Sequence, residues 1–212
     1  MENKKQNIEL LFLLDTTSSM SSYINEAKNN IIKIYTEILN NKSECLNSLK
    51  MGLINYRDHP PQDNTYITKL YNLTHDVNLM QKYLNETSAY GGGDLPEAIC
   101  CSLSDCLNKI NWTQDDQVIK IAILIADAPP HGINCVGDGL PNGCPLHNDP
   151  IEIAYKLAQN KITLYCIGCE PALTPYKDFF LILSLITGGK YLSLNNCNSL
   201  SNVSEYLFYL LN

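Results

Sequence analysis

Three stretches of the chain offer side-chain oxygen at the ends of apolar runs. Asp15, Thr17 and Ser19 form an Asp-x-Thr-x-Ser series, Asp94 and Glu97 follow three glycines, and Asp127 closes a second apolar run. Carboxylates and hydroxyls are the donors that hard divalent cations prefer. If the first stretch is partly extended, Asp15, Thr17 and Ser19 can turn toward one point. Carboxylates brought together there would repel each other, a cost that a bound cation removes. Each signal alone has a plainer explanation: Asp15 and Ser19 suit helix N-caps, and Asp127 could face water. Their joint placement at strand ends is what points to a metal.

That placement depends on the elements around them. Residues 8–14 (IELLFLL) and 118–126 (VIKIAILIA) are near-continuous apolar runs, as expected of parallel strands buried on both faces. Residues 49–56 and 162–168 read as further strands, 190–194 as a last one, and Tyr66 to Tyr71 as an antiparallel edge. Helical spacing runs over 23–40, with Ile24, Ala27, Ile31, Ile34, Ile38 and Leu39 on one face. Helices are also expected at 77–86, 96–109 (with Pro96 in its first turn), 150–160, 176–187 and 199–211. This alternation predicts a Rossmann-like, doubly wound α/β fold: a mostly parallel sheet, one antiparallel edge strand, and helices on both faces. No repeat or long linker divides residues 1–212, so one domain is expected. In such sheets ligands bind outside the carboxyl ends of the strands.

Charge narrows the partners. The formal net charge of −7 over 212 residues, with no Lys/Arg cluster, lacks the footprint of a nucleic-acid binder. No apolar stretch is long enough to span a membrane. The run from Ile8 to Leu14 is interrupted by Glu9, ends at Asp15 and has no cleavage site after it, so it reads as a strand and not a signal peptide. Nine cysteines without a disulfide-scaffold spacing suggest reduced thiols and a cytoplasmic location. The Asn-x-Ser/Thr triplets at Asn72 and Asn111 point the other way, but they are expected by chance in an Asn-rich chain.

Longer blocks carry a resemblance. Phe12-Leu13-Leu14-Asp15-Thr16-Thr17-Ser18-Ser19-Met20 resembles the first metal-binding loop of von Willebrand factor type A (VWA) domains. Gly91-Gly92-Gly93-Asp94-Leu95-Pro96-Glu97-Ala98 resembles the second loop, and Ile125-Ala126-Asp127 the third. The blocks at 56–63, 124–132, 137–143 and 168–172 are similar to VWA domains attached to alpha-kinases in amoebae and fungi. The resemblance extends over almost the whole chain. It implies a metal-ion-dependent adhesion site holding Mg²⁺ or Mn²⁺, with Asp15, Thr17 and Ser19 from the first loop, Asp94 or Glu97 from the second and Asp127 from the third. An acidic side chain from a protein partner would complete the shell. Ser18 departs from the glycine usual in that loop, which costs backbone freedom but no ligand. No kinase signature accompanies the resemblance.

Other constellations are weaker. His131, Cys135, Cys144 and His147 share one long loop and could hold zinc, but no finger-like spacing supports it. A place for His131 beside the cation is the better expectation. Cys166 and Cys169 read as core, and Arg57-Asp58-His59 as a turn that could border the metal face. The glycines at 91–93 lack the lysine of a phosphate loop. A phosphatase-like hydrolase is the alternative function, since Asp15 follows the first strand as a nucleophile would. Such enzymes resemble this chain only in part: Thr17 stands where they need a second acid. The expectation is a binding module and not an enzyme.

Overall fold

The strand Gln6–Asp15 (β1) is the spine of the molecule. From Ile8 to Asp15 every side chain is buried, because strands lie on both sides of it and helices cover both faces. The structure, a computed structural model, describes residues 5–41 and 46–194. Six strands form one sheet in the order β3-β2-β1-β4-β5-β6, where β2 is Leu46–Tyr56, β3 Thr68–Thr74, β4 Val118–Ala126, β5 Ile162–Cys169 and β6 Tyr191–Leu194. β1 pairs in parallel with β2 and with β4, and only β3 runs antiparallel, against β2. The expected edge strand is therefore present, but it begins at Thr68 and extends to Thr74.

Side-chain alternation along β1 sorts the core into two layers. Ile8, Leu10, Phe12 and Leu14 pack with Ile24, Ala27, Ile31, Ile34 and Ile38 of α1 (Ile24–Asn41) and with Met80 and Leu84 of α2 (Val77–Glu86). Leu11 and Leu13 face the other side. There they meet Ile99, Leu103 and Cys106 of α3 (Ile99–Asn108), Ile153, Ala154 and Leu157 of α4 (Pro150–Gln159), and Phe180 and Leu183 of α5 (Lys177–Ile186). Glu9, the one charge in the run, is satisfied by Lys50 Nζ at 2.8 Å and by the Thr113 backbone N–H at 2.9 Å. Cys166 and Cys169 are core residues, as expected. Asp76 and Asp149 cap α2 and α4 by accepting from first-turn N–H groups, and Pro150 opens α4.

One helix boundary differs from expectation. α3 starts at Ile99, so Pro96 lies outside its first turn. The Glu97 N–H donates to Pro129 O (2.9 Å), and the Ala98 N–H to Arg57 O (2.9 Å), so the segment before the helix is held across to the strand ends. The expected helix at 199–211 lies outside the described residues. Among the described residues, no helix is long and apolar enough to cross a membrane.

β1 has β2 on one side and β4 on the other, so the chain reverses its winding direction between β1 and β4. This is the switch point where a doubly wound sheet leaves a crevice at the strands' carboxyl ends. Asp15 ends β1 and Asp127 follows β4, on the two walls of that crevice.

Candidate metal centre at the strand ends

After Asp15 the backbone stays extended only through Thr17 (φ −76°, ψ 168°) and then turns into a 3₁₀ helix over Ser18–Ser22. The side chains nevertheless converge. Asp15 Oδ1 accepts from the Thr17 N–H (2.9 Å) and from Thr17 Oγ1 (2.7 Å). Thr17 Oγ1 lies 3.1 Å from Ser19 Oγ, which donates to Asp127 Oδ1 at 3.0 Å. Four oxygens thus form an arc from one wall of the crevice to the other. Ser18 is outside the left-handed region, so replacing glycine costs no backbone strain there. Its N–H donates to Gly91 O at 3.0 Å.

The glycine loop closes the site from above. Tyr90 N–H donates to Thr16 O, and Gly92 N–H to Asp63 Oδ2. Gly91 and Gly92 have φ of +79° and +77°. A Cβ on Gly92 would stand 2.9 Å from Glu97 Oε1 and 3.1 Å from Thr17 Cβ, so this position requires glycine for space as well as conformation. Buried Arg57 ties the loops together through Thr16 O (3.2 Å), Thr65 Oγ1 (2.8 Å) and Ser88 O (3.2 Å), with its guanidinium over the Tyr66 ring. The sequence offered Arg57 as a turn residue that could border the metal face; the contacts it makes across the loops have no local signature.

The electrostatics are those of crowded acids. Burial, with the negative charge of Asp127, pushes Asp15 up to about 7. Burial, and then the charges of Asp15 and Asp58, raise Glu97 to about 11. Asp127 is raised as well, chiefly by burial. Asp15 Oδ2 and Glu97 Oε2 are buried and accept no hydrogen bond. Buried carboxylate oxygens without a donor are costly. Glu97 feels the charges of Asp15 and Asp127, and Asp15 that of Asp127.

Asp94 is placed elsewhere. One of its oxygens accepts from the Gly139 N–H, and it gathers with Asp58 and His131, whose ligand atoms all lie within 4.8 Å of one another. His131 sits between two carboxylates, with Nε2 2.6 Å from Asp58 Oδ1 and Nδ1 2.7 Å from Asp138 Oδ1. It is therefore one layer behind the Asp15 cluster, bound to Asp58 instead of touching Asp127. Burial lowers its pKa, but the two carboxylates outweigh burial and leave it raised.

The structure also separates the long-loop set His131, Cys135, Cys144 and His147. His131 is held by Asp58 and Asp138, and Cys135 meets Tyr176 Oη at 3.1 Å. His147 is exposed. Cys144 instead meets Cys101 of α3 and His59 after β2, two residues from outside the loop.

Comparison with known proteins agrees with this architecture. The profile of the von Willebrand factor A domain matches residues 9–131. The alpha-protein kinase vwkA of Dictyostelium discoideum is 31% identical over 140 residues, covering 65% of this chain and 21% of that protein. An ariadne-like RING finger protein of Acanthamoeba polyphaga mimivirus is 26% identical over 197 residues, covering 90% of this chain and 18% of that one. The chain thus spans about a fifth of the length of these relatives. Among solved structures, proximal thread matrix protein 1 from the mussel byssus superposes with a TM-score of 0.67 at 13% identity, over 98% of this chain and 46% of its own. A second form of that protein, with zinc in its adhesion-site motif, gives 0.63 at 12% over 99% and 47%. The pilus adhesin SpaC of Lactobacillus rhamnosus GG gives 0.67 at 13% over 99% and 31%. With a matched profile over more than half its length and the six-stranded order described above, the chain belongs to the von Willebrand factor A domain family.

Proposed function

We propose that this domain binds one divalent cation, Mg²⁺ or Mn²⁺, through Asp15, Thr17, Ser19, Glu97 and Asp127, and captures a partner protein by an Asp or Glu of that partner. The arc of oxygens carries this reading. Adjacent oxygens around an octahedral Mg²⁺ are separated by about 3.0 Å, given bonds of 2.0–2.1 Å. Thr17 Oγ1 to Ser19 Oγ is 3.1 Å, and Ser19 Oγ to Asp127 Oδ1 is 3.0 Å. The donorless oxygens of Asp15 and Glu97 give a cation its charge balance. Glu97 takes the second-loop place instead of Asp94, because it feels the charges of Asp15 and Asp127 while one oxygen of Asp94 accepts from the Gly139 N–H.

When bound, the ion supplies a positive centre that an acidic side chain can join by replacing a water. The chain's own residues prepare the place. Buried Asp15 anchors the first loop, and Gly92 lets Thr17 and Glu97 approach each other. Ser18 and Ser19 are exposed, so the site faces solvent. Tyr90 and Leu95, 64% and 46% exposed, flank the glycine loop and offer apolar contact to a partner. The mussel protein with zinc in its adhesion site supports a cation at this position of the fold. Thr17, where a phosphatase of similar sheet needs a second carboxylate, favours binding over catalysis. The described cysteines are free thiols, which suits a cytoplasmic domain.

The test is calorimetric titration of Mg²⁺ and Mn²⁺ into the native chain and into Asp15→Ala, with partner capture measured in the presence and absence of Mg²⁺. Native binding with stoichiometry one, lost in the variant together with capture, is expected, while both proteins remain folded. Capture that persists without the cation would overturn the adhesion reading.

A further inference from the structure

We infer that His59, Cys101 and Cys144 form a separate zinc site that pins the long loop after β4 to the body of the domain. Cys101 Sγ lies 3.5 Å from Cys144 Sγ and 3.5 Å from His59 Nε2, and Cys144 Sγ lies 3.7 Å from the same nitrogen. Around a tetrahedral zinc, with bonds near 2.3 Å to sulfur and 2.0–2.1 Å to nitrogen, those edges are roughly 3.8 Å between sulfurs and roughly 3.6 Å between sulfur and nitrogen. All three observed edges fall within a few tenths of an ångström of these values. The two sulfurs are too far apart for a disulfide, which needs about 2.05 Å. Thiolate and imidazole together select zinc over the hard cations suited to the oxygen site.

Chance packing is a poor account of the convergence. The three residues come from the segment after β2, from the first turn of α3 and from the middle of the loop, at sequence separations of 42, 43 and 85. The Asn148 side-chain amide donates to both sulfurs, at 3.4 Å to Cys101 Sγ and 3.6 Å to Cys144 Sγ. A cleft of about 300 Å³, lined in part by Cys101, Ser104, Asp105 and Asn148, opens beside it and gives metal and water a route in.

The loop also has reason to need a staple. Between Asp127 and Asp149 it contains no helix or strand, and Val136 and Leu146 are 94% and 61% exposed. Asn134 and His147 hold positive φ without being glycine. A segment with so little apolar burial of its own gains most from a metal crosslink. Asn148 and Asp149 follow Cys144 closely, so fixing Cys144 also sets where α4 begins.

The test is metal analysis and cobalt spectroscopy on the full chain purified under reducing conditions. The native chain should hold one zinc ion. With Co²⁺ in its place, near-ultraviolet thiolate-to-cobalt charge transfer should appear and be displaced by added Zn²⁺. Asp15→Ala and Cys100→Ser, which leave the three ligands intact, should retain the signal; Cys101→Ser and Cys144→Ser should each lose it. The native spectrum decides the matter even if a cysteine variant does not fold. A cobalt spectrum without charge transfer, zinc lost in Asp15→Ala, or an intact mass short by two hydrogens from a Cys101–Cys144 disulfide would overturn the proposal.

Discussion

Two clusters lie around the same end of the sheet and obey opposite electrostatics. Asp15, Glu97 and Asp127 are acids pressed together by burial, each raised above its ordinary range. Cys101 and Cys144 are shifted in opposite directions: the hydrogen bond from Cys101, helped by His59, holds the Cys144 thiol well below its usual value while Cys101 is raised. The first cluster crowds buried acids and is open to solvent through Ser18 and Ser19. The second is held by hydrogen-bond contacts among its own groups and is largely covered. One fold thus offers a site suited to exchange with a partner beside a site suited to holding a loop still.

The sharpest way to break this division is to exchange acids for amides. Glu97→Gln should weaken Mg²⁺ binding roughly 10–100-fold, whereas Asp94→Asn should leave it within about threefold, with the cobalt–thiolate signal unchanged in both. Equal losses in the two variants, read by calorimetry, would restore Asp94 as a ligand. A smaller effect is expected from Gly92→Ala. A Cβ at φ +77° costs about 1–2 kcal/mol and meets Glu97 Oε1. The backbone cost should appear as lower fold stability, and the displaced Glu97 as weaker Mg²⁺ binding, while zinc content is unchanged.

A further effect, read in stability and not in affinity, concerns His131 with its two carboxylates. His131→Gln should cost about 2 kcal/mol of stability, the scale of hydrogen bonds to charged groups. The His131 pKa is raised in the fold, so its contribution is fully present below the unfolded value near 6.5 and is lost as pH rises through the folded value. Asp138 is lowered by its contacts, so its share appears above the ordinary Asp value and is lost in acid. The gap in melting temperature between native and variant should therefore be widest between those limits and narrow on the alkaline side. A gap independent of pH would mean that the histidine fills space without carrying charge.

The difference between the clusters also explains what could be read from residue order. β1 and β4 were legible because strands buried on both faces leave unbroken apolar runs, and the α1 face because its period is helical. The convergence of Asp15, Thr17 and Ser19 was legible because they are local to one loop. Glu97 and Asp94 were inseparable in the sequence. What distinguishes them is a backbone bond from Glu97 to Pro129, made by the fold. The start of α3 was misplaced for the same reason, since Pro96 obeys that pairing instead of helix-start chemistry. His59, Cys101 and Cys144 left no trace as a set. Their proximity is purely tertiary, and the visible loop grouping of His131, Cys135, Cys144 and His147 pointed to the wrong companions.

The sheet order has a consequence in time. Asp15 and Asp127 face each other only because β4 docks against β1 after more than a hundred intervening residues. Contacts at such separation form late and slowly, since the loop they close carries a large entropy cost. A chain with β1, β2 and β3 in place would already have Asp15, Thr17 and Ser19 but no opposite wall. On the proposed function, cation binding would report the pairing of β1 with β4, and on a nascent chain it would wait until β4 had emerged.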